Sequence, residues 1–121
     1  MAETIIDRVL VDGRSIIVDR RRRLRGAEAV DASGAVRDPC DGEARRFFAV
    51  GAFIRAAHHL VGDREAAHRF GREAAAQVAE AAKVKCVDED EPGWGLAHLS
   101  DTRGQAAVLK SIDITLEQRR T

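Results

Sequence analysis

Between Phe47 and Ala57 the run FFAVGAFIRAA carries one charged residue, Arg55, and no other feature narrows the possible folds so far. Phe47, Val50, Ile54, Ala57 and Val61 recur at spacings of three and four, the stripe of a buried helical face. Phe48, Ala49, Ala52, Phe53 and Ala56 make most of the remaining circumference apolar as well. A helix apolar on most sides belongs at the centre of a bundle. The same run admits a buried strand, but its Ala and Gly content and the length of the pattern favour the helix. Asp38-Pro39 supplies an N-cap residue followed by proline at the first helical position, which predicts a central helix over about residues 39–61. Gly51 inside it costs about 1 kcal/mol relative to alanine, so close approach of a neighbouring helix is expected there.

Asp63 is placed to cap a second helix, about residues 64–84, with Ala67, Phe70, Ala74, Val78 and Ala81 on its inner stripe. Lys83 and Lys85 follow near its C-terminal dipole. The short Gly62-Asp63 junction makes these two helices an antiparallel hairpin. Thr102-Arg103-Gly104-Gln105 reads as a capping box, and Val108, Leu109, Ile112 and Leu116 give the stripe of a final helix. The N-terminus stays open. Asp12-Gly13 between IIDRVLV and RSIIVD is a hairpin signal, whereas Ile6, Val9, Gly13, Ile16 and Arg20 fit helical spacing. The expectation is an all-α single domain over residues 1–121, a bundle of four to five helices, with an N-terminal hairpin as the alternative.

A chain of 121 residues is long enough for one core and too short for two. With 33% charged and 45% hydrophobic residues, no apolar run approaches the roughly 18 residues of a membrane span. The opening MAETIIDRVLVDG has acidic residues where a secretory signal would be basic, so a cytoplasmic location is expected and no membrane partner. Cys40 and Cys86 stand in no paired-ligand spacing, and reduced thiols follow from that compartment.

The segments RLRGAEAVDASGAVRDP, EARRFFAVGAFIRAA and LSDTRGQAAVLKSID follow one another in an order that resembles a family of small bacterial and phage domains of unknown function. Its members read as an N-terminal helix, a D-x-x-G turn, a helix with an A-x-x-[FW]-x-x-x-G-A-[LF]-x-x-A signature, another helix, a Trp-Asn-Asp step and a last amphipathic helix. Ala44, Phe47, Gly51, Ala52, Phe53 and Ala56 match the signature, and Asp31 and Gly34 the turn. Leu99-Ser100-Asp101 stands in place of Trp-Asn-Asp and keeps only the aspartate, which puts any role of that asparagine in doubt. The resemblance covers most of the chain from Leu24 onward. It implies an all-α fold with a helical N-terminus and brings no activity.

Formal charge sums to zero, so no global field draws the chain toward nucleic acid or anionic lipid. Locally, Arg20, Arg21, Arg22, Arg23 and Arg25 form a basic block, and Asp88 to Glu91 an acidic one. Planar guanidinium groups suit carboxylate or phosphate. Trp94, in a Pro-Gly-Trp-Gly turn, is either a lid on the core or an interaction anchor, with the lid favoured. His58, His59 and His68, with Asp63 and Glu65 between them, are the nearest approach to a metal cluster. Adjacent histidines on a helix point about 100° apart, and His68 lies across a helix junction, so no ligand set closes. His98, Asp101 and Cys86 do not define a catalytic arrangement, and Gly93-Trp94-Gly95 lacks phosphate-loop spacing. The expectation is therefore a non-enzymatic interaction or accessory domain with no cofactor or metal. Its contact surface would be the arginine block with Trp94, and its partner a protein or a second copy. Nucleic-acid or anion binding through the same arginines is the second reading, and a metal-dependent enzyme the third.

Overall fold

Thr4 opens the first helix through a capping box. Its hydroxyl accepts from the Asp7 amide at 3.2 Å, and the Asp7 carboxylate accepts from the Thr4 amide at 3.0 Å. In the computed structural model, which describes residues 4–24, 27–81 and 105–120, helix α1 then runs over Ile5–Val18. This overturns the hairpin alternative. Gly13 lies buried inside α1, where a Cβ would run into the Phe53 ring. The turn tendency of Asp12-Gly13 loses to one buried stripe of Val9, Leu10, Ile16 and Ile17.

A 3-10 turn (Arg20–Arg22) follows, started by the Asp19 carboxylate, which accepts from the Arg21 amide at 2.9 Å. Strands β1 (Ala29–Val30) and β2 (Arg46–Phe47) pair antiparallel, with Ala29 opposite Phe47 and Val30 opposite Arg46. Helices α2 (Ala49–Val61), α3 (Arg64–Ala81) and α4 (Gln105–Arg120) complete the elements. The fold is an all-α bundle, with four helices among the described residues and a small two-stranded sheet in the connection between α1 and α2.

The central helix starts at Ala49 and not near residue 39. Asp38 caps a turn instead, its Oδ1 accepting from the Cys40 amide at 2.8 Å and its carbonyl from the Asp41 amide at 2.9 Å. Asp41 repeats the device on the Glu43 amide at 2.9 Å. Asp-Pro opens turns as readily as helices, and here the chain downstream decides. The Arg45 amide donates to the Val30 carbonyl (2.8 Å), the Phe48 amide to Glu28 (3.1 Å), and the Phe47 carbonyl accepts from Leu24 (3.1 Å). With those groups committed to extended pairing, Phe47 belongs to a strand and Phe48 becomes the N-cap.

From Ala49 to Ala57 every residue is buried except Arg55, which is half-buried. Phe53 and Ile54 are fully enclosed, each contributing about 1.5–3 kcal/mol by leaving water. The neighbour pressing on Gly51 is not a helix. A Cβ there would sit on the backbone carbonyl of Glu28, just before β1. The close helix approach is at Gly71 of α3, whose missing Cβ leaves room for the backbone of Ile54.

Gly62 ends α2 in the left-handed region (φ 72°), its amide donating to the His58 carbonyl at 2.9 Å. Asp63 then caps α3 by accepting from the Ala66 amide at 2.9 Å, as its position in the sequence predicts. Among the described elements, helices α2 and α3 pack along each other more extensively than any other pair, and α1 packs on both. Ala67, Ala74, Ala75 and Val78 line the α3 side with small side chains. Residues 82–84 of the predicted helix and the Thr102 end of the predicted capping box lie outside the described residues.

Helix α4 bridges α1 and α3, burying Val108 and Ile112 in the common core. Two polar clamps hold it. Arg14 makes a bidentate pair with Asp113 at 2.7 and 3.1 Å, and Arg119 joins Asp7 of α1, Gln77 of α3 (2.7 Å) and Thr4 (2.9 Å). The Arg119 guanidinium, helped by the Thr4 amide, holds the Asp7 carboxyl at about 2. No helix among the described residues is long and apolar enough to cross a membrane.

Candidate functional site

Of the residues singled out by the sequence, Arg25, Trp94, Cys86, His98, Asp101 and the acidic run 88–91 lie outside the described residues, as does the side chain of Arg20. The remaining arginines do not share one surface. The Arg21 side chain is 90% exposed and reaches Asp19 at 3.4 Å; Arg22 is exposed. Arg23 turns inward. Its Nη2 donates to the Val18 carbonyl at 3.4 Å, while Nε is buried without a hydrogen-bond partner among the described residues.

Arg23 also forms a parallel bridge to Phe47. Arg22 and Arg46 each immediately precede a residue of that bridge. Both side chains are exposed. Neither has an ion pair or hydrogen bond among the described residues, whereas Arg14, Arg37, Arg64, Arg72 and Arg119 each face a carboxylate. The unpaired cations next to that bridge are therefore Arg22 and Arg46, while Arg21 is paired with Asp19. Sequence reasoning missed Arg46 because it assigned residues 39–61 to one helix; in β2 the exposed-buried alternation of Arg46 and Phe47 turns the arginine outward.

A second constellation lies where the Asp38 turn meets α3. His68 Nε2 stands 3.2 and 3.1 Å from the two oxygens of Asp38, and Arg64, one helical turn earlier, also donates to Asp38 Oδ2. Cys40, a free thiol, completes the group: the carboxylate oxygen, Sγ and imidazole nitrogen lie within 4.8 Å of one another, all half-buried. Arg55 of α2 holds the turn from below, its Nη1 donating to the carbonyls of Pro39 (3.3 Å) and Asp41 (2.7 Å). Burial opposes ionisation of Asp38, but the Cys40 amide, Arg64 and His68 outweigh it and keep the carboxyl at about 2. Burial, with the Asp38 carboxylate beside it, pushes the Cys40 thiol up to about 11. That thiol is protonated at neutral pH, the opposite of an activated nucleophile.

The histidines grouped in the sequence do not converge. His58 and His59 end α2, half-buried and exposed respectively, and Asp63 is occupied as a cap. His68 instead finds partners 30 positions upstream. Its i, i+4 relation to Arg64, both aimed at one carboxylate, is legible only once the Asp38 turn is known to lie on α3. Compared with known proteins, the chain matches no family model, no curated protein and no solved structure.

Proposed function

We propose that this chain is a non-enzymatic, cytoplasmic protein-interaction module whose contact surface is the edge carrying Arg22 and Arg46, and that it takes a carboxylate-bearing protein surface there. The observation that supports this reading is the pair Arg22 and Arg46, exposed and without an ion pair among the described residues, while Arg14, Arg37, Arg64, Arg72 and Arg119 each face a carboxylate. Guanidinium forks bind carboxylates in two-point geometry, which gives orientation as well as attraction. Phe47 and Phe48 beside the edge are buried, so neither offers a stacking platform to nucleic-acid bases. A net charge of zero likewise supplies no long-range attraction to a polyanion. The sequence Asp88 to Glu91 of a second copy carries charges of the required sign.

Sedimentation of the full chain at low and high salt, with fluorescence binding to a glutamate-rich peptide and to duplex DNA, tests the proposal. Self-association or peptide binding that weakens with salt and disappears in Arg22→Glu/Arg46→Glu is the expected result. Steeply salt-dependent binding of duplex DNA without peptide binding would replace it with the nucleic-acid reading. Absence of both peptide binding and self-association would refute it.

A further inference from the structure

A carboxylate, a thiol and an imidazole meet at the Asp38 turn, and from this we infer that Asp38, Cys40 and His68 form a binding site for one divalent cation of zinc-like preference. The inference is independent of the cationic edge and rests on other residues.

The donor set decides the ion class. One oxygen, one sulfur and one nitrogen suit a borderline-soft ion such as Zn²⁺ or Co²⁺, whereas calcium and magnesium require shells made of oxygen. Distances agree. Tetrahedral zinc with bonds of about 2.0–2.3 Å places its ligand atoms about 3.5 Å from one another. The His68 nitrogen and the Asp38 oxygens already stand 3.1–3.2 Å apart, and the whole set spans no more than 4.8 Å. Side-chain rotation is enough to close it.

The backbone under the site is fixed in advance. Asp38 and Cys40 share one turn, closed by the Cys40 amide on Asp38 Oδ1, and Arg55 ties two carbonyls of that turn to the central helix. His68 projects from the second turn of α3, so the ligands come from two elements already packed together. Such preorganisation lowers the ordering cost of binding.

Charge also balances. The Asp38 carboxylate and a Cys40 thiolate neutralise a divalent cation, and the imidazole adds none when neutral. A bound cation strips the thiol proton, which leaves to solvent, so affinity rises with pH. Arg64 works against the ion. It donates to Asp38 Oδ2 from a side chain that is 68% exposed, and it is free to swing toward solvent or to share the carboxylate, whose two oxygens offer lone pairs for several partners. Three protein ligands leave a fourth position for water.

Titration of the reduced full chain with Co²⁺, followed by Zn²⁺, tests the site. One equivalent of Co²⁺ should produce a thiolate-to-cobalt charge-transfer band, which Zn²⁺ then removes. Cys40→Ser should abolish the band, His68→Gln should weaken binding at least about tenfold, and Arg64→Ala should tighten it, with far-ultraviolet circular dichroism confirming that each variant is folded. The opposite signs for His68→Gln and Arg64→Ala keep the test decisive even where Cys40→Ser fails to fold. Failure to saturate with either ion, or binding unchanged in both Cys40→Ser and His68→Gln, would overturn the site.

Discussion

The α2–α3 hairpin and the segment from Glu28 to Phe48 adjoin each other in the structure, yet they are held by different forces. The hairpin closes on apolar surface: Phe53, Ile54, Ala74 and Val78 are fully buried, and Gly71 lets the two helices touch at the backbone. The segment before α2 anchors its two ends in the core through Ala29, Val30, Phe47 and Phe48, but the turns between them are organised by carboxylates. Asp31 accepts from the amides of Ser33 and Ala35 and from Arg37, Asp38 from Cys40, and Asp41 from Glu43. Burial fixes a helix from within its own sequence window. Capping turns fix a path only when the chain they lead to is also in place.

Substitution can sharpen that contrast. Phe53→Ala removes a fully buried ring from the centre of the hairpin and should cost about 3–5 kcal/mol in denaturant unfolding. Loss of only about 1 kcal/mol would mean that the core is not centred on α2. Gly51→Ala probes the boundary between the two regions, since the added methyl meets the Glu28 carbonyl. A destabilisation of about 1–3 kcal/mol is expected, with β1 displaced more than α3, which amide chemical shifts would reveal.

The polar segment should show itself through pH. The carboxyls of Asp31 and Asp38 are held below the ordinary value of 3.8, Asp38 at about 2. For an acid with a depressed folded value, the stabilisation is complete above the unfolded value and is lost as pH falls through the folded one. Stability should therefore decline from about pH 4 toward pH 2, and Asp38→Asn should flatten that decline by an amount on the order of 1–2 kcal/mol. An unchanged acid profile in the variant would show that the turn carboxylate is not engaged. Smallest of all, Arg22→Ala/Arg46→Ala should leave stability within about 0.5 kcal/mol while removing the binding proposed for the edge. A larger loss of stability would make these arginines part of the fold rather than of a contact surface.

The same contrast explains what could be read from the chain. Helices α2 and α3 follow from the three-and-four spacing of Val50, Ile54, Ala57 and Val61 and of Ala67, Phe70, Ala74 and Val78, and Asp63 was legible as a cap because capping is local. Helix α1 was ambiguous because Asp12-Gly13 carries a turn preference that only the packing of Gly13 against Phe53 overrides. Asp38-Pro39 was misassigned because an aspartate that caps a turn and one that caps a helix look alike until the Phe48 amide is known to bond Glu28. The cluster at Cys40 was invisible for the same reason. Its partner His68 belongs to another helix, and nothing in the spacing of the two announces their contact.

Native-state amide hydrogen exchange tests the division most directly. The account predicts that the amides of Ala52 to Ala57 exchange only through global unfolding, while those of Arg37, Arg45 and Phe48, though hydrogen-bonded, exchange through a smaller opening at lower free energy. Equal protection in both regions, or faster exchange in α2 than in the turn segment, would contradict it.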